Sequence, residues 1–509
     1  MRVLLIKPSN LSDHIQPSLG LGYLAAQIRN DHEVKIVDCI KEHLPAPQLM
    51  PILEEFKPEI VGSQCYSMDL PMLKPVLETV KAFNKDIVTI VGGAHPTAAP
   101  EHTLKHFGAE VIDFIFAGEG EIGFPIFLNQ FLTPGGPDFR KAPGLGWRDN
   151  GRLRINPGAQ AQDLDQLGMP AWDLIMPESY PFSPHGVVCK AFPIAPVMAT
   201  RGCPYMCTFC SSANTKLRKR SISLVLEEVK LLQKRHGIRE FHMVDDNFTL
   251  DMEYAKEFAR ALIQNNIKAN WATPNGVRLE RLDKPLLELL KQAGFYSLCV
   301  GIESGSDRIR IKMKKGSNIS KIRKDLQMVH EVGGIDVTGF FILGFPSETK
   351  EDIETTIRFA KELPLTRATF HSFIPLPGTE VWHEMEASGE LDRVDWERYF
   401  FWAGAYVPQG MTRGELRKLH RKAFLSFYLR PRTILKNLKF ILRPRVCWYA
   451  LRYLWKRVRP EPRIRPFIKK IAQGSNGTKP AADIGWMHKP KPRLTADPEK
   501  DVSKELRVL

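Results

Sequence analysis

Short apolar runs alternate with helical segments twice along this chain, and this alternation restricts the fold more than any other sequence feature. In residues 1–135, Leu19–Arg29 and Met72–Phe83 have the apolar spacing of helices. They lie among five runs rich in β-branched and aromatic residues, namely Val3–Ile6, Val34–Val37, Ile60–Ser63, Ile87–Val91 and Phe114–Ala117. Apolar strands that alternate with helices indicate an α/β fold with a parallel sheet covered on both faces. Five strands favour a Rossmann-like order of the flavodoxin type.

A second alternating region occupies residues 191–395. Its six predicted strands are Val197–Thr200, Glu240–Val244, Ala269–Ala272, Ser297–Gly301, Val337–Leu343 and Arg367–Phe373. Helical segments follow these strands, and six βα units are typical of a partial (β/α)6 barrel. Residues 136–190, between the two regions, are rich in proline and glycine without sustained periodicity, and we interpret them as a linker.

Small residues mark the carboxyl ends of the predicted strands in the first region. The loops are Pro17–Gly22, Gly92–Pro96 and Gly118–Glu121. Ligands of open parallel sheets bind beyond the carboxyl ends of the strands, and glycine lets a large ligand approach the backbone. These loops therefore predict a ligand-binding edge. The alternative is that their glycines only form tight turns.

Three of the eight cysteines lie together at Cys203, Cys207 and Cys210, spaced C-x3-C-x2-C after the first predicted barrel strand. Three thiolates on one loop can hold three irons of a cubane and leave the fourth open to another ligand. Zinc is the alternative, but structural zinc sites are closed by four ligands, and no histidine or further cysteine is near in sequence. The spacing therefore favours an iron–sulfur cluster. The scattered cysteines are predicted to be buried thiols.

With Phe209 just before its last cysteine, this loop resembles the C-x3-C-x-aromatic-C signature of the radical S-adenosylmethionine (SAM) superfamily. The resemblance extends over most of the chain, because the first region is similar to the cobalamin-binding domain that precedes the radical domain in one branch. It implies that Cys203, Cys207 and Cys210 bind a [4Fe-4S] cluster whose open iron chelates SAM. It also implies that SAM is cleaved to a 5′-deoxyadenosyl radical, which abstracts hydrogen from the substrate.

Further segments resemble the superfamily's SAM contacts at the ends of later strands. They are Met243–Thr249 beside the methionine moiety, Val300–Ser306 beside the ribose and amino acid, and Gly339–Glu348 beside the adenine. The resemblance implies SAM contacts from Phe209, Asp245, Asp246, Asn247, Glu303, Ser304 and Gly344. Capping of the following helix is the alternative for Asp245 and Asp246.

Many cobalamin carriers ligate cobalt through the histidine of a D-x-H-x-x-G loop, but none of the 14 histidines here follows an aspartate at that spacing. The first region instead resembles domains that bind cobalamin without a histidine ligand. The resemblance implies cobalamin contacts from Ser18, Leu19, Gly20, Ser63, Gly92, Gly93, His95, Gly118, Glu119 and Gly120. The lower face of cobalt is then open or contacted by a loop near Pro17–Gly22 or Ser63–Ser67. For His95, stabilisation of the turn beside Pro96 is the alternative.

The net charge of +15 is concentrated near the C-terminus. Residues 411–470 contain 19 Lys and Arg against two Glu, and residues 471–509 add +2, which leaves −4 for residues 1–410. Residues 396–470 are predicted to form a basic helical region, and residues 471–509 a disordered tail. Basic amphipathic helices with Trp and Tyr suit an anionic membrane surface, and packing of their apolar side on the barrel is the alternative. Since the body of the chain is slightly acidic, nucleic acid is not an expected partner.

No signal peptide or transmembrane helix is predicted, so the expected location is cytoplasmic, with peripheral attachment to the inner face of a membrane as a variant. The resemblance implies a cobalamin-dependent radical SAM enzyme that methylates an unactivated carbon of a small-molecule or lipid-like substrate. Such an enzyme needs a reductant such as flavodoxin or ferredoxin. The alternative is radical oxidation, cyclisation or rearrangement without methyl transfer, as in the anaerobic porphyrin cyclases of similar architecture. A tRNA-modifying enzyme is less expected, because Cys39 and Cys65 do not form that class's additional ligand set.

Overall fold

The computed structural model describes residues 1–10, 15–181 and 188–441. The strands are β1 (Arg2–Lys7), β2 (Glu33–Asp38), β3 (Ile60–Gln64), β4 (Val88–Gly92), β5 (Phe114–Phe116), β6 (Leu145–Asp149), β7 (Arg152–Ile155), β8 (Ile194–Val197), β9 (Thr200–Arg201), β10 (Arg218–Lys219), β11 (Glu240–Met243), β12 (Asn270–Val277), β13 (Phe295–Glu303), β14 (Asp336–Leu343) and β15 (Arg367–Ser372). The helices are α1 (Leu19–Ile28), α2 (Met50–Phe56), α3 (Leu70–Phe83), α4 (Ala94–Ala98), α5 (Pro100–Phe107), α6 (Gly120–Gln130), α7 (Ile222–His236), α8 (Met252–Gln264), α9 (Lys284–Gln292), α10 (Asp307–Lys312), α11 (Ile319–Val332), α12 (Lys350–Glu362), α13 (Glu380–Ala387), α14 (Arg413–Tyr428) and α15 (Pro431–Ile441).

The first sheet contains seven strands in the order β2-β1-β3-β4-β5-β6-β7. Strands β1 to β5 run parallel, and their order confirms the predicted flavodoxin type. Alternate side chains of a strand point to opposite faces of its sheet. The side chains of β1 are buried on both faces. Val3 and Leu5 belong to one apolar cluster, and Leu4 and Ile6 belong to another. This two-sided burial explains why the strand is a continuous apolar run.

Residues 136–190 differ from the predicted linker, because they add two antiparallel strands to the first sheet. Strand β6 pairs with β5, and β7 pairs with β6. The hairpin turns at Asn150 and Gly151, whose φ angles of 49° and 79° are those of a type I′ turn. An Asn-Gly pair between short runs is a strong hairpin signal, and the high proline and glycine content concealed it.

The second sheet has six parallel strands in the order β8-β11-β12-β13-β14-β15, which confirms the partial barrel. Its first strand was predicted at Val197–Thr200, but the structure places β8 at Ile194–Val197, so that prediction is wrong by three residues. The reason is that Thr200 and Arg201 form β9, which pairs with β10 in a small antiparallel ribbon. The cysteine loop therefore leaves this ribbon and not the barrel strand itself.

The basic C-terminal region begins with a helix that belongs to the barrel. Helix α14 buries Leu416, Ala423 and Phe427 in the barrel's apolar core, and the rings of Phe427 and Phe370 lie 6.4 Å apart. For α14, this agrees with the alternative, in which the apolar side of the helix packs on the barrel. Residues 442–470 and the predicted tail at 471–509 lie outside the described residues. Within the described ranges, no helix is long and apolar enough to cross a membrane.

Candidate active site between the two sheets

Loops that follow the carboxyl ends of strands in both sheets meet at the domain boundary. Met68, in the loop after β3, packs against Phe400 and Ala403, which follow the last barrel strand. The His102 ring stacks on Trp396 with ring centroids 6.0 Å apart. Because ligands of parallel sheets bind beyond the carboxyl ends of their strands, ligands of both domains would meet at this boundary.

Tyr66, in the loop after β3, lies close to charged groups of both domains. Burial raises the pKa of its phenol, and the charges of Asp69 and Asp246 raise the pKa further. Asp69 belongs to the first domain and Asp246 to the second. The phenol therefore lies near acidic side chains from both sides of the boundary.

The three clustered cysteines lie on one loop between β9 and β10. Cys203 and Cys210 are partly exposed, and Cys207 is buried. The Cys203 N–H donates to Thr215 Oγ1 at 2.8 Å, and the Thr215 N–H donates to the Cys203 carbonyl at 3.0 Å, so the loop is closed at its base. Burial raises the pKa of Cys203 and raises that of Cys210 to about 11. Metal ligation would release these thiol protons.

Asp245 and Asp246, which follow β11, brace this loop from the neighbouring strand. Asp245 Oδ1 accepts two successive backbone N–H groups, the first from Ala199 at 3.2 Å. Asp246 Oδ2 accepts the Gly202 N–H at 2.8 Å. Burial raises the pKa of Asp245 to about 7. The side chain that caps α8 belongs to Asp251, so the structure does not support the capping alternative.

Asn247 lies beside these aspartates with its side chain 2% exposed. Among the described residues, neither its amide nitrogen nor its amide oxygen has a hydrogen-bond partner. Leaving a buried polar group without a partner is costly, and such groups are rare in folded proteins. The Asn247 amide is therefore suited to a polar ligand.

Glu303 and Ser304, at the end of β13, have different surroundings. Glu303 has φ 67°, and its carboxylate accepts a hydrogen bond from Lys315 Nζ at 2.9 Å. Lys315 Nζ also lies 5.9 Å from the ring centroid of Phe209, the aromatic residue of the cysteine loop. The Ser304 hydroxyl lies 3.1 Å from Thr356 Oγ1 of α12, so it braces the turn against that helix. Glu303 is thus near the cysteine loop, whereas Ser304 has a partner within the protein.

Arg278 is a site residue that sequence reasoning missed. Its Nη1 donates to Cys207 Sγ at 3.6 Å, and its guanidinium carbon lies 3.8 Å from the ring centroid of Tyr205. Its Nη2 donates to Glu280 Oε1 at 3.1 Å, which fixes the orientation of the guanidinium. The only sequence signal was its position directly after β12, at the carboxyl end of a barrel strand.

Gly344 turns the chain after β14 with φ 85°. The N–H groups of Gly344 and Phe345 donate to Glu348 Oε2 at 2.5 Å and 3.1 Å. Burial raises the pKa of Glu348 to about 8, and its Oε1 has no partner among the described residues. Thr349 caps α12, so Glu348 instead shapes the turn that presents Gly344.

Because of this burial, Glu348 is expected to make stability depend on pH. Its folded-state pKa lies above the ordinary value of 4.5, so the folded protein binds more protons than the unfolded chain between about pH 4.5 and 8. The free energy of unfolding should therefore fall as pH rises through that interval, with a slope of up to about 1.4 kcal/mol per pH unit. Urea unfolding of Glu348→Gln and wild type at pH 5 and pH 8 measures the effect. An equal fall in both proteins would exclude Glu348 as its source.

The predicted ligand edge of the first sheet contains both open and crowded glycines. Ser18 caps α1, which begins at Leu19. A Cβ added at Gly20 would have no atom within 4 Å, so this backbone is accessible. Gly93 has φ 107°, and a Cβ there would lie 3.1 Å from the Cys65 carbonyl oxygen. The turn alternative therefore accounts for Gly93, whereas Gly20 leaves space for a ligand.

The remaining small residues of this edge also include both crowded and open positions. The Ser63 hydroxyl donates to the Ile6 carbonyl at 3.0 Å and is buried in the sheet. A Cβ at Gly92 or Gly120 would touch apolar side chains at 3.5 Å or 3.1 Å. At Gly118 the nearest atom to such a Cβ would be 4.0 Å away, so Gly118 is the more open position.

His95 and Glu119 have partners within the protein. His95 Nδ1 lies 2.8 Å from Ser67 Oγ, and its Nε2 lies 3.0 Å from His102 Nδ1. Burial and, to a smaller extent, the neighbouring histidines lower the pKa of His95 to about 3. This arrangement favours the turn-stabilising alternative for His95. Glu119 Oε2 accepts a hydrogen bond from Arg218 Nη1 of the second domain at 2.9 Å.

Comparisons with known proteins identify both domains. Residues 197–360 match the family model described as the radical SAM superfamily, and residues 12–128 match the B12 binding domain. An uncharacterized methyltransferase of Pyrococcus horikoshii is 31% identical over 448 residues, which are 86% of this chain and 95% of that protein. The chain belongs to the cobalamin-binding radical SAM enzymes. The chain is also similar to the cytidylyl-2-hydroxyethylphosphonate methyltransferase of Streptomyces wedmorensis, at 30% identity over 77% of this chain and 83% of that protein.

The anaerobic magnesium-protoporphyrin IX monomethyl ester cyclase of Rubrivivax gelatinosus is 27% identical, over 84% of this chain and 79% of the cyclase. Among solved structures, the cobalamin-dependent radical SAM enzyme OxsB matches with a TM-score of 0.67 and 14% identity, over 93% of this chain and 75% of OxsB. The methyltransferase TsrM from Kitasatospora setae matches with a TM-score of 0.61 and 17% identity, over 76% of this chain and 75% of TsrM. These two structures show that the fold is shared.

The cofactors of this radical SAM family are a [4Fe-4S] cluster, SAM and cobalamin, as predicted. The described residues suit all three groups. Three thiols on one loop supply soft ligands for iron, and the unpartnered amide of Asn247 can bind a polar group of SAM. The open backbone at Gly20 and Gly118 can admit a large flat ligand.

Proposed function

We propose that this chain is a cobalamin-dependent radical SAM enzyme that methylates an unactivated carbon of a small-molecule or lipid-like substrate. The observation that carries the proposal is that the ribbon holding the cysteine loop contacts the Gly118–Glu121 loop of the glycine edge, through Arg201 and Arg218. Two related chains that are at least 30% identical are named methyltransferases, which supports methyl transfer. When bound, the cofactors supply a carbon-centred radical and a methyl carrier.

In this proposal, the residues of the second domain have distinct tasks. Cys203, Cys207 and Cys210 hold the cluster, and Asp245 and Asp246 keep their loop in position through backbone N–H groups. The candidate SAM contacts are side chains and one backbone turn near this loop, namely Phe209, Asn247, Glu303 and Gly344. Ser304 supports them indirectly through its contact with α12.

In the first domain, the proposed cobalamin contacts are backbone segments with open faces. They are the α1 entry at Ser18, Leu19 and Gly20, and the turn at Gly118. Ser63, Gly92, Gly93 and Gly120 shape the same edge. No ligating histidine is part of the proposal, since both nitrogens of His95 already have partners.

Methyl-labelled SAM tests this function. The anaerobically reconstituted full chain is incubated with labelled SAM, a chemical reductant and fractionated small-molecule and lipid extracts. Label in a new product together with 5′-deoxyadenosine would support methylation. Formation of 5′-deoxyadenosine with an unlabelled product would favour the second candidate, oxidative cyclisation, which the 27% identical cyclase suggests. Absence of 5′-deoxyadenosine with every fraction, despite full cofactor loading, would contradict radical chemistry.

Arg278 is expected to tune the proposed cluster. Hydrogen bonds to cysteine sulfur stabilise the extra electron of a reduced cluster, and second-shell partners adjust its potential. Arg278→Gln, which removes the charge beside Cys207, should therefore shift the midpoint potential of the cluster to a more negative value. Redox titration followed by electron paramagnetic resonance (EPR) measures the shift. Arg281→Gln provides a control that removes a nearby arginine bonded to Tyr205 and not to a cysteine; equal potentials in all three proteins would contradict the expectation.

The reductant and the location complete the proposal. A flavodoxin or ferredoxin would supply the electron, and the basic region at 411–470 would attach the enzyme to an anionic membrane. In the described part of that region, Arg421 and Lys422 of α14 are exposed, and Lys422 pairs with Glu354 of α12 at 2.5 Å. Co-sedimentation of the full chain with anionic vesicles, but not with neutral ones, is the expected result.

A further inference from the structure

The loop Gly118–Glu121 connects the two domains through buried charges. Glu119 accepts hydrogen bonds from Arg218, with Nη1 and Oε2 2.9 Å apart, and lies 3.4 Å from Arg201 Nη1. Glu121 Oε1 lies 2.7 Å from Arg201 Nη2. The four side chains are between 6% and 17% exposed. Two carboxylates of the first domain are thus enclosed with two guanidinium groups of the second.

The arginines occupy a special position in the second domain. Arg201 and Arg218 are the paired residues of the β9–β10 ribbon, and the cysteine loop leaves that ribbon. Arg201 precedes Cys203 by two residues. Glu119 and Glu121 follow β5 at the ligand edge of the first sheet. Glu119 lies between Gly118 and Gly120, and Glu121 comes directly after Gly120. The ion pairs therefore connect the base of the cysteine loop directly to the proposed cobalamin edge.

Helix capping does not explain these acids. Glu119 precedes α6, but its side chain makes no capping hydrogen bond. Instead, its Oε2 also accepts the Ala161 N–H at 3.2 Å, and Arg218 donates to the Ala161 carbonyl at 2.8 Å. Glu119, Arg201 and Arg218 each have more than one partner, and such an arrangement specifies one relative orientation of its elements.

Buried ion pairs are weak evidence for stability, because desolvation offsets their attraction. Their geometry is nevertheless restrictive, since removing one partner leaves a buried charge without compensation. Bidentate contacts of arginine with carboxylate also fix direction as well as distance. The pairs are therefore better suited to setting the position of the ribbon than to adding stability.

We infer that Glu119 and Glu121 are positioning residues, which hold the ribbon, and with it the cysteine loop, at a fixed distance from the cobalamin edge. This inference rests on the proposed function, because it requires that both cofactors be bound. In this inference, Glu119 contacts the arginines of the second domain and does not contact cobalamin. Arg201 and Arg218 are the corresponding residues of the second domain.

The magnetic interaction between the two cofactors tests the inference without a substrate. The full chain is reconstituted with cob(II)alamin and a reduced cluster, and EPR measures how strongly the cluster accelerates relaxation of the cob(II)alamin signal. The double variant Glu119→Gln/Glu121→Gln should keep both cofactors but lose most of this acceleration. Arg218→Lys, which keeps a charge opposite Glu119, should retain more of it than Arg218→Gln.

Controls separate this inference from the proposed function. Arg323→Gln breaks an exposed pair with Glu362 on the outer helices, and it should leave the relaxation unchanged. If wild type fails to bind cobalamin or a cluster, the proposed function is wrong. If the double variant retains both cofactors and wild-type relaxation, the inference is wrong and the proposed function stands.

A second measurement applies if the double variant does not load both cofactors. Hydrogen exchange of the cofactor-free chain should then become faster in the β9–β10 ribbon and at residues 118–121, with β1 and β13 unchanged. Exchange equal to wild type in the ribbon would overturn the inference. Faster exchange throughout the chain would also overturn it, since the residues would then act only through global stability.

Discussion

Cys207→Ala is expected to abolish formation of 5′-deoxyadenosine and to leave the protein unable to hold a full cluster. A cubane with one open iron needs all three protein thiolates. The rate should fall by about 1000-fold or more, since even outer-shell partners of a metal ligand are worth about 10–100-fold. Iron and sulfide analysis after anaerobic reconstitution, together with quantification of 5′-deoxyadenosine, measures both effects.

Cys39→Ala is the matched control for this substitution. Cys39 is a fully buried thiol in an apolar cluster of the first domain, and burial raises its pKa, so it is not a thiolate at neutral pH. The variant should keep its iron content and its 5′-deoxyadenosine formation. Wild-type cluster content in Cys207→Ala would show that the assignment of the cluster ligands is wrong, whatever the control does.

Much of the fold could be predicted because β1 to β5 and the six barrel strands run parallel, and parallel strands are typically buried on both faces. A strand such as β1 is then a continuous apolar run, which is readable from a single sequence. The hairpin at Asn150-Gly151 was missed because its strands are short and one of them, Arg152–Ile155, is largely exposed and at the sheet edge. The first barrel strand was misplaced because β8 and β9 are separated by only two residues, and no local pattern shows where the chain changes partner.

The candidate site was predictable only where its chemistry is local in sequence. The cysteines lie within eight residues of one another, so their spacing identifies a cluster-binding loop. Arg278 reaches Cys207 across 71 residues, and Arg218 reaches Glu119 across 99. Such contacts depend on which strand ends the fold brings together. A rule based on sequence spacing cannot find these contacts. In the sequence alone, Arg278 is one arginine that follows a predicted strand.

The segment that joins the two domains is held by a second buried ion pair. Arg220 and Glu228 are paired with side chains that are 0% and 1% exposed. Trp172 Nε1, from the segment predicted to be a linker, donates to Glu228 Oε1 at 3.0 Å, and Arg220 Nη1 donates to the Met198 carbonyl at 2.9 Å. One carboxylate therefore fixes helix α7, the end of the first barrel strand and the interdomain segment together.

Glu228→Ala is accordingly expected to lower the free energy of unfolding by about 3–5 kcal/mol, because Arg220 would keep a buried charge without its counter-ion. Trp172 would lose its hydrogen-bond acceptor at the same time. Urea unfolding followed by tryptophan fluorescence measures the loss. Glu362→Ala, at the exposed pair with Arg323, should change the same quantity by only about 0–1 kcal/mol. A loss in Glu228→Ala no larger than that of Glu362→Ala would mean that water or rearranged side chains compensate the Arg220 charge, and that the interdomain segment is held mainly by apolar packing of Trp172.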